Sequence, residues 1–285
     1  MTSNEQFIKS FENKVKQTIK KYNLINKNDK IIVACSGGKD STTVLYLLNK
    51  FGYNVEAVAI DLLIGEYSKI NLKNIKEFCR KHNIKLNIIS FRDEFGHSLC
   101  FIRSALKQKG SRLESCTICG ILKRWLLNKK SRKLKAAKLA TGHNLDDEAQ
   151  TILMNMLKGN PGLNTKLGPK TGVVKDKKFV QRIKPLYFTL EKDVERYSKL
   201  MGFPVKYGRC PCAVGVFRAS VRDELSRLKN DGKIKSNIVN DFLKKKPELR
   251  KKYKTSEKLN YCRKCGEPSK GNVCNACKIL GLLHA

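Results

Sequence analysis

The chain has 285 residues, 41% of them apolar and 29% charged, which excludes a collagen-like, low-complexity or wholly disordered protein. No apolar run approaches the roughly 20 residues of a membrane span, and the polar, basic start MTSNEQFIKSFENKVKQTIKK lacks the apolar region of a signal peptide, so a soluble, intracellular, cytoplasmic chain is expected. Lys and Arg number 59 against 25 Asp and Glu, a formal net charge of +34 that repels itself unless an anion neutralises it.

Phe7, Ile8, Phe11, Val15 and Ile19 recur at helical spacing and predict an amphipathic helix over residues 4–22. Lys30 to Ala34 reads as a buried strand that runs into a Gly-rich turn, and a helix is expected from Lys39 to Phe51. Asn54 to Ile60 and Lys85 to Ser90 read as further strands around a helix from Lys69 to His82. Ala136 to Thr141 reads as strand and Leu145 to Lys158 as helix. Strands alternating with helices predict an α/β fold with a parallel sheet covered on both faces, and ligands at the carboxyl ends of its strands. Asn160 to Lys178, rich in Gly, Pro and Lys, reads as a mobile surface loop. Residues 215–252 read as helical, with Val216, Phe217, Val221, Leu225 and Leu228 on one face and Arg218, Arg222 and Arg227 toward the other. No internal repeat is visible.

For the net charge, nucleic acid is the expected partner, because no basic amphipathic helix dominates to favour a membrane. A general lysine bias is the bland alternative, since 45 of the 59 basic residues are Lys. The 11 cysteines argue for metal or sulfur chemistry rather than disulfides, because they cluster in a chain without a secretion signal. Cys116 and Cys119, Cys262 and Cys265, and Cys274 and Cys277 each form Cys-x-x-Cys; Cys210 and Cys212 flank Pro211; Cys35, Cys79 and Cys100 stand alone and read as core thiols.

Ser36-Gly37-Gly38-Lys39-Asp40-Ser41 joins the first strand to the first core helix. Its glycines let backbone approach a ligand, the helix N-terminus offers amides and a positive dipole end to phosphate, and Ser36, Ser41 and Lys39 add donors. The spacing is not that of a Walker A loop. Cys116 and Cys119 open a helix beside Lys123 and Arg124, where thiols ionise readily. Thr141-Gly142-His143-Asn144-Leu145-Asp146-Asp147-Glu148 again follows a strand and opens a helix. A carboxylate there can hold Mg²⁺ or manage protons, or Asp146 and Asp147 merely cap the helix. His143 reads equally as a hydrogen-bonding or a catalytic group.

The segment SGGKDS resembles the PP-loop of the ATP pyrophosphatases, which cleave ATP to AMP and pyrophosphate while adenylating a carbonyl oxygen. With CTICGILKR, TGHNLDDEAQTILMN and GRCP, the chain resembles the TtcA/TtuA family of tRNA 2-thiolation enzymes over roughly residues 30–225. The resemblance implies a Rossmann-like, adenine nucleotide alpha hydrolase fold. It implies ATP at Ala34, Ser36, Gly37, Gly38, Lys39, Asp40, Ser41, Ile60, Gly142 and Asp147, with Mg²⁺, and a 4Fe–4S cluster on Cys116, Cys119 and Cys210 with one iron open to sulfur. Lys123 and Asp147 match the family's lysine and aspartate near ATP. Cys212 is a rival third ligand, with Cys210 favoured because it precedes the proline; persulfide and disulfide chemistry without iron is the alternative use of these thiols. The implied reaction is adenylation of the carbon-2 oxygen of a tRNA pyrimidine, foremost a uridine, followed by sulfur transfer. The donor is a thiocarboxylated ubiquitin-like protein, a persulfide or sulfide, and family members are often homodimers.

Tyr261-Cys262-Arg263-Lys264-Cys265 and Cys274-Asn275-Ala276-Cys277 form two knuckles suited to a tetrahedral Zn²⁺ cage, in a stretch too short to fold on its own core. No cysteine precedes Cys35, so the N-terminal zinc module of many members has no counterpart. The expected organisation is an N-terminal helix (1–29), a catalytic domain (30–210), a helical tRNA-binding extension (211–257) and a zinc ribbon (258–285). The competing readings are another PP-loop tRNA-modifying enzyme, such as a lysidine synthetase, and a zinc-ribbon RNA-binding protein with a vestigial ATP site.

Overall fold

Ile31, Ile32 and Val33 have no exposed surface, and this doubly buried run forms the central strand β1 (Ile31–Cys35). In the computed structural model, which describes residues 2–171, 176–208, 210–213, 217–253 and 260–284, β1 is flanked by β2 (Val55–Asp61) and β4 (Lys138–Ala140). β3 (Leu86–Ser90), β6 (Gln181–Ile183) and β5 (Lys170–Thr171) complete a sheet of order β3-β2-β1-β4-β6-β5. All neighbours are parallel except β5, which runs against β6. The order reverses between β1 and β4, so the crevice that such sheets offer to ligands opens above those two strands.

Alternation along the strands divides the core in two. Ile31, Val33 and Cys35 face a cluster with α1 (Ser3–Lys21), α2 (Lys39–Lys50), α3 (Gly65–Lys81) and α8 (Glu191–Leu200). Ile32, Val58 and Leu139 face the other layer, α4 (Phe91–Phe95), α5 (Leu99–Gln108) and α6 (Ser115–Lys133). A third cluster joins α7 (Leu145–Leu157) to α10 (Asp231–Lys252), and α9 (Phe217–Arg227) packs on α7. Among the described residues no helix is long and apolar enough to cross a membrane.

The expected strands and helices of residues 4–158 are present with ends shifted by a few residues. The largest shift is α3, which begins at Gly65 rather than Lys69, with Ser68 Oγ accepting the Ile64 amide at 2.9 Å. Helices α4, α5 and α8 and strand β6 were not anticipated. β6 has three residues, too few for alternation to register, and α8 buries only Val194, Tyr197 and Ser198. The supposed surface loop Asn160–Lys178 holds a 3₁₀ turn, Pro161–Lys166, and the edge strand β5. Asn164 is buried there, accepting from Asn155 Nδ2 (2.6 Å) and donating to Ile152 O (3.3 Å), which ties the segment to α7; residues 172–175 lie outside the described residues. The expected helix 215–252 breaks at Asn230, which has φ +56°. Val221 and Leu225 are buried as expected but Leu228, at that break, is exposed, and Val216 lies outside the described residues.

The C-terminal cysteines sit in a hairpin, β7 (Asn260–Tyr261) and β8 (Pro268–Ser269), followed by α11 (Asn275–His284). Cys262, Cys274, Ala276 and Ile279 join the same apolar cluster as Ile118, Leu122 and Leu126 of α6. Glu267 forms an ion pair with Arg132 and accepts from Asn128 Nδ2 (3.2 Å), and Lys178 donates to Gly266 O (2.7 Å). The unit is thus docked on the helix that carries the central cysteine pair. Leu122→Ala should lower unfolding stability by about 2–5 kcal/mol, measured by denaturant titration, because its side chain is wholly buried where α6 meets the sheet layer. A loss below 1 kcal/mol would contradict this packing.

Candidate active site

The loop after β1 closes on itself. Ser36 N donates to Ser41 Oγ (3.1 Å), the two hydroxyls lie 3.2 Å apart, and Ser41 Oγ donates to Gly38 O (3.2 Å). Gly38 caps α2 without a side-chain hydrogen bond, so the first amides of the helix remain available to a ligand. Two glycines are required sterically. Gly37 has φ +79°, and a Cβ there would lie 2.4 Å from Asn71 O on α3. A Cβ on Gly142 would lie 2.8 Å from Ser41 N, so the loop after β4 rests directly on the phosphate loop.

Charged groups around the loop are paired. Lys39 Nζ binds Asp40 Oδ2 (3.1 Å) and Glu191 Oε1 (2.9 Å), so it braces α8 against the loop. Burial alone would lower the Lys39 pKa, but Asp40 and Glu191 outweigh it and raise it. Asn144 Nδ2 donates to Asp40 Oδ1 (3.0 Å) and its Oδ1 accepts from Asp147 N (3.1 Å). Asp147 returns the bond to Asn144 N (3.3 Å), a reciprocal cap at the start of α7. Asp147 also faces Arg218 Nη1 of α9 at 3.8 Å. Burial raises the Asp147 pKa despite Arg218, and burial with Asp147 nearby raises that of Asp40 despite Lys39. Asp146 is structural, bound to Lys235 Nζ (2.6 Å) and to the Glu191 amide (2.7 Å). His143 Nδ1 lies 2.9 Å from Thr141 Oγ1. Crowding by protein, then Lys184, Arg218, Arg182 and Lys123, depresses its pKa, which keeps the imidazole neutral. Ala34 and Ile60 lie near the carboxyl ends of β1 and β2, half-buried against the α6-side cluster.

Cys119, Cys210 and Cys212 border the same apolar cluster as Tyr67 of α3. Burial raises the Cys116 thiol, Cys210 adds to the shift, and Lys123 and Arg218 oppose it. Burial likewise raises Cys119, opposed by Lys123 and reinforced by Cys210 and Cys116. Mutual influence of this kind requires proximity. Cys212 turns toward Cys210, Arg103 and Cys100, and burial followed by Cys210 pushes its thiol up to about 11. Cys35 and Cys79 are buried, as expected of core thiols; Cys100 is exposed, because α5 turns Leu99, Ile102 and Leu106 inward instead.

Residues that sequence reasoning missed hold the two halves together. On α3, Asn71 packs against Gly37, and Tyr67, one turn earlier, lies among Cys210, Cys212 and Cys119. Arg218 links Asp147 to the field of Cys116 and donates to Thr151 Oγ1 (3.0 Å). Lys184, at the end of β6, forms a buried ion pair with Glu148. No spacing marks Tyr67, Asn71 or Glu191; Arg218 showed only as the polar side of a helix.

Cys262, Cys265, Cys274 and Cys277 bring their sulfurs within 4.8 Å of one another, with Cys265 and Cys274 3.7 Å apart. Tetrahedral Zn–S bonds of about 2.3 Å place sulfurs about 3.8 Å apart, so the donor set and its size suit such an ion. Gly266, at φ +68°, makes the knuckle turn, donating to Cys262 O at 2.8 Å.

Comparison with known proteins agrees with this arrangement. Residues 7–226 match the model of a PP-loop domain family. The chain is 35% identical over 280 residues to the tRNA-5-methyluridine(54) 2-sulfurtransferase of Pyrococcus horikoshii, covering 98% of this chain and 87% of that protein. It is 32% identical to the cytoplasmic tRNA 2-thiolation protein 1 of Drosophila ananassae, covering 97% and 80%. Among solved structures it resembles the U34-tRNA thiolase NcsA from Methanococcus maripaludis with its [4Fe-4S] cluster, with a TM-score of 0.77 and 29% identity over 98% of this chain and 88% of that one. The phosphate loop, the thiols beside it and these matches together make the chain a member of the PP-loop family that includes the tRNA 2-thiolation sulfurtransferases.

Proposed function

We propose that the chain catalyses ATP-dependent 2-thiolation of a tRNA uridine, with Cys116, Cys119 and Cys210 holding a 4Fe–4S cluster. The observation that carries this reading is that Tyr67 of α3 borders the same apolar cluster as Cys119 and Cys210, while Asn71, one turn along the same helix, meets the phosphate loop at Gly37. Cys210, rather than Cys212, is a principal influence on both Cys116 and Cys119, which favours it as the third ligand. Held by three thiolates, such a cluster would supply an iron without a protein ligand, where sulfur can bind.

The protein's own groups account for the nucleotide chemistry. The uncapped amides at the start of α2 and the Gly37–Gly38 backbone receive phosphate oxygens of ATP. The neighbouring carboxylates of Asp40 and Asp147 are the candidates for Mg²⁺. The carbon-2 oxygen of the uridine attacks the α-phosphorus and the bond to pyrophosphate breaks. Carbon 2 then bears AMP, a good leaving group; sulfide sulfur adds at that carbon and the C–O bond breaks with release of AMP. Arg218 lies between Cys116 and Asp147, and Lys123 lies beside Cys116 and Cys119, where both offset negative charge on the reacting phosphate. Neutral His143 serves as a hydrogen-bond partner rather than a cation. The net charge of +34 suits an RNA substrate. The C-terminal thiols hold Zn²⁺, which fixes α11 on α6.

Cys116→Ser, Cys119→Ser and Cys210→Ser should each abolish iron binding and 2-thiouridine formation, read by anaerobic metal analysis and mass spectrometry of tRNA nucleosides. Pyrophosphate release driven by tRNA should persist within several-fold, and Cys212→Ser should thiolate near the wild-type rate. Full thiolation by the Cys210→Ser protein would overturn the assignment. Cys274→Ser should remove one zinc per chain and lower Tm by several degrees while iron content holds, because the cage stabilises a stretch with little core of its own. Unchanged zinc content would contradict the cage.

A further inference from the structure

Two guanidiniums stand together beside the thiol pocket, and among the described residues no carboxylate pairs with either. Arg124 lies on α6 and Arg182 on β6. Asn128 fixes the two elements to each other: its Oδ1 accepts from Val180 N (3.0 Å) and its Nδ2 donates to Lys178 O (2.8 Å). Arg124 is one helical turn, ~5.4 Å, from Asn128 toward the start of α6. Arg182 is two residues, ~6.6 Å, beyond Val180 along β6. Because α6 returns the chain to a strand parallel to the one before it, it runs opposite to β6. Both steps therefore lead toward the carboxyl edge of the sheet and bring the side chains alongside. Arg182 is in register with Leu139, so it shares the face that α6 covers, whereas Ile183 faces the other layer. The Arg124 guanidinium folds back over Gly120, where a Cβ would lie 3.1 Å from Nη1, next to Cys119.

Three neighbouring cations have carboxylate partners: Arg132 with Glu267, Lys184 with Glu148, and Arg218 with Asp147. Among the described residues, no carboxylate or hydrogen-bond acceptor meets the side chain of Arg124 or Arg182. Burial lowers the pKa of both; Cys119 opposes the shift at Arg124, whereas Arg124 lowers Arg182 further. An anion relieves this repulsion, and a guanidinium fork matches phosphate oxygens in pairs.

We propose that Arg124 and Arg182 form a cradle for a backbone phosphate of bound RNA, holding the strand beside the thiol pocket. The site rests on the tRNA-thiolation reading and deepens it. ATP is provided for elsewhere, by the amides after β1, two strands away across the sheet. A strand gripped here presents its neighbouring nucleotide to Cys119 and Lys123, and the phosphate contact carries no sequence information.

The test uses the full iron-loaded chain, with Arg124→Gln, Arg182→Gln and the double variant. Binding of unmodified tRNA is measured across a salt series, beside ATP binding and iron content. Each single variant should weaken tRNA binding several-fold, and the double variant should reduce the slope of log Kd against log salt by about one. ATP affinity and iron content should not change, and Arg124→Lys with Arg182→Lys, which keep the charges, should retain most of the slope even if a Gln variant folds poorly. Unchanged tRNA affinity and slope would overturn the cradle. So would weaker ATP binding at normal tRNA affinity, which would assign the pair to the nucleotide, or iron loss at normal tRNA affinity, which would assign it to the metal site. Failure of the unsubstituted protein to bind tRNA would instead count against the thiolation reading itself.

Discussion

Backbone meets backbone where Gly142 rests on Asp40 and Ser41, too close for any side chain to intervene. This contact sets the distance between the loops after β1 and β4, the two strands that frame the crevice. A second contact of the same kind, Asn71 against Gly37, sets α3 against the phosphate loop. With three segments locked at the sheet edge, Tyr67 reaches the thiols and Asn144 reaches Asp40 without further adjustment. Catalytic geometry on such a scaffold is pre-organised by packing.

Charge around the crevice is sorted by position. Lys39, Asp40, Glu191, Asp146 and Lys235 form pairs that tie α2, α7, α8 and α10 together. Toward the thiols the balance turns positive, with Lys123, Arg124, Arg182 and Arg218 close to Cys116, Cys119 or His143. Such an excess favours phosphates there and offsets part of the burial that raises the Cys116 and Cys119 thiols. The docking of the C-terminal cage on α6 ties a second metal-binding unit to the helix that carries the first cysteine pair.

The phosphate loop, the three Cys-x-x-Cys pairs and the alternation of strand and helix were legible because each is written in contiguous residues. The grouping of Cys210 with Cys116 and Cys119 rests on family resemblance, since nothing local joins residue 210 to residue 116. The assignment of Lys39 to phosphate did not anticipate Glu191, which lies 152 positions away and whose pairing is a product of packing. The reading of residues 160–178 as loop followed Pro and Gly and overlooked Asn164, whose amide finds partners only in the fold. Asp147 caps α7 through Asn144, as the capping alternative expected, and its other oxygen faces Arg218.

The central claim is that thiols and phosphate loop form one site rather than two. Pulsed electron–nuclear spectroscopy tests it most directly, on the iron-loaded protein reduced to a paramagnetic state with ATP bound. The expected result is a resolved coupling of the iron electron spin to ATP phosphorus that disappears when ATP is omitted. Iron loaded in full, ATP bound in full and no phosphorus coupling would contradict it.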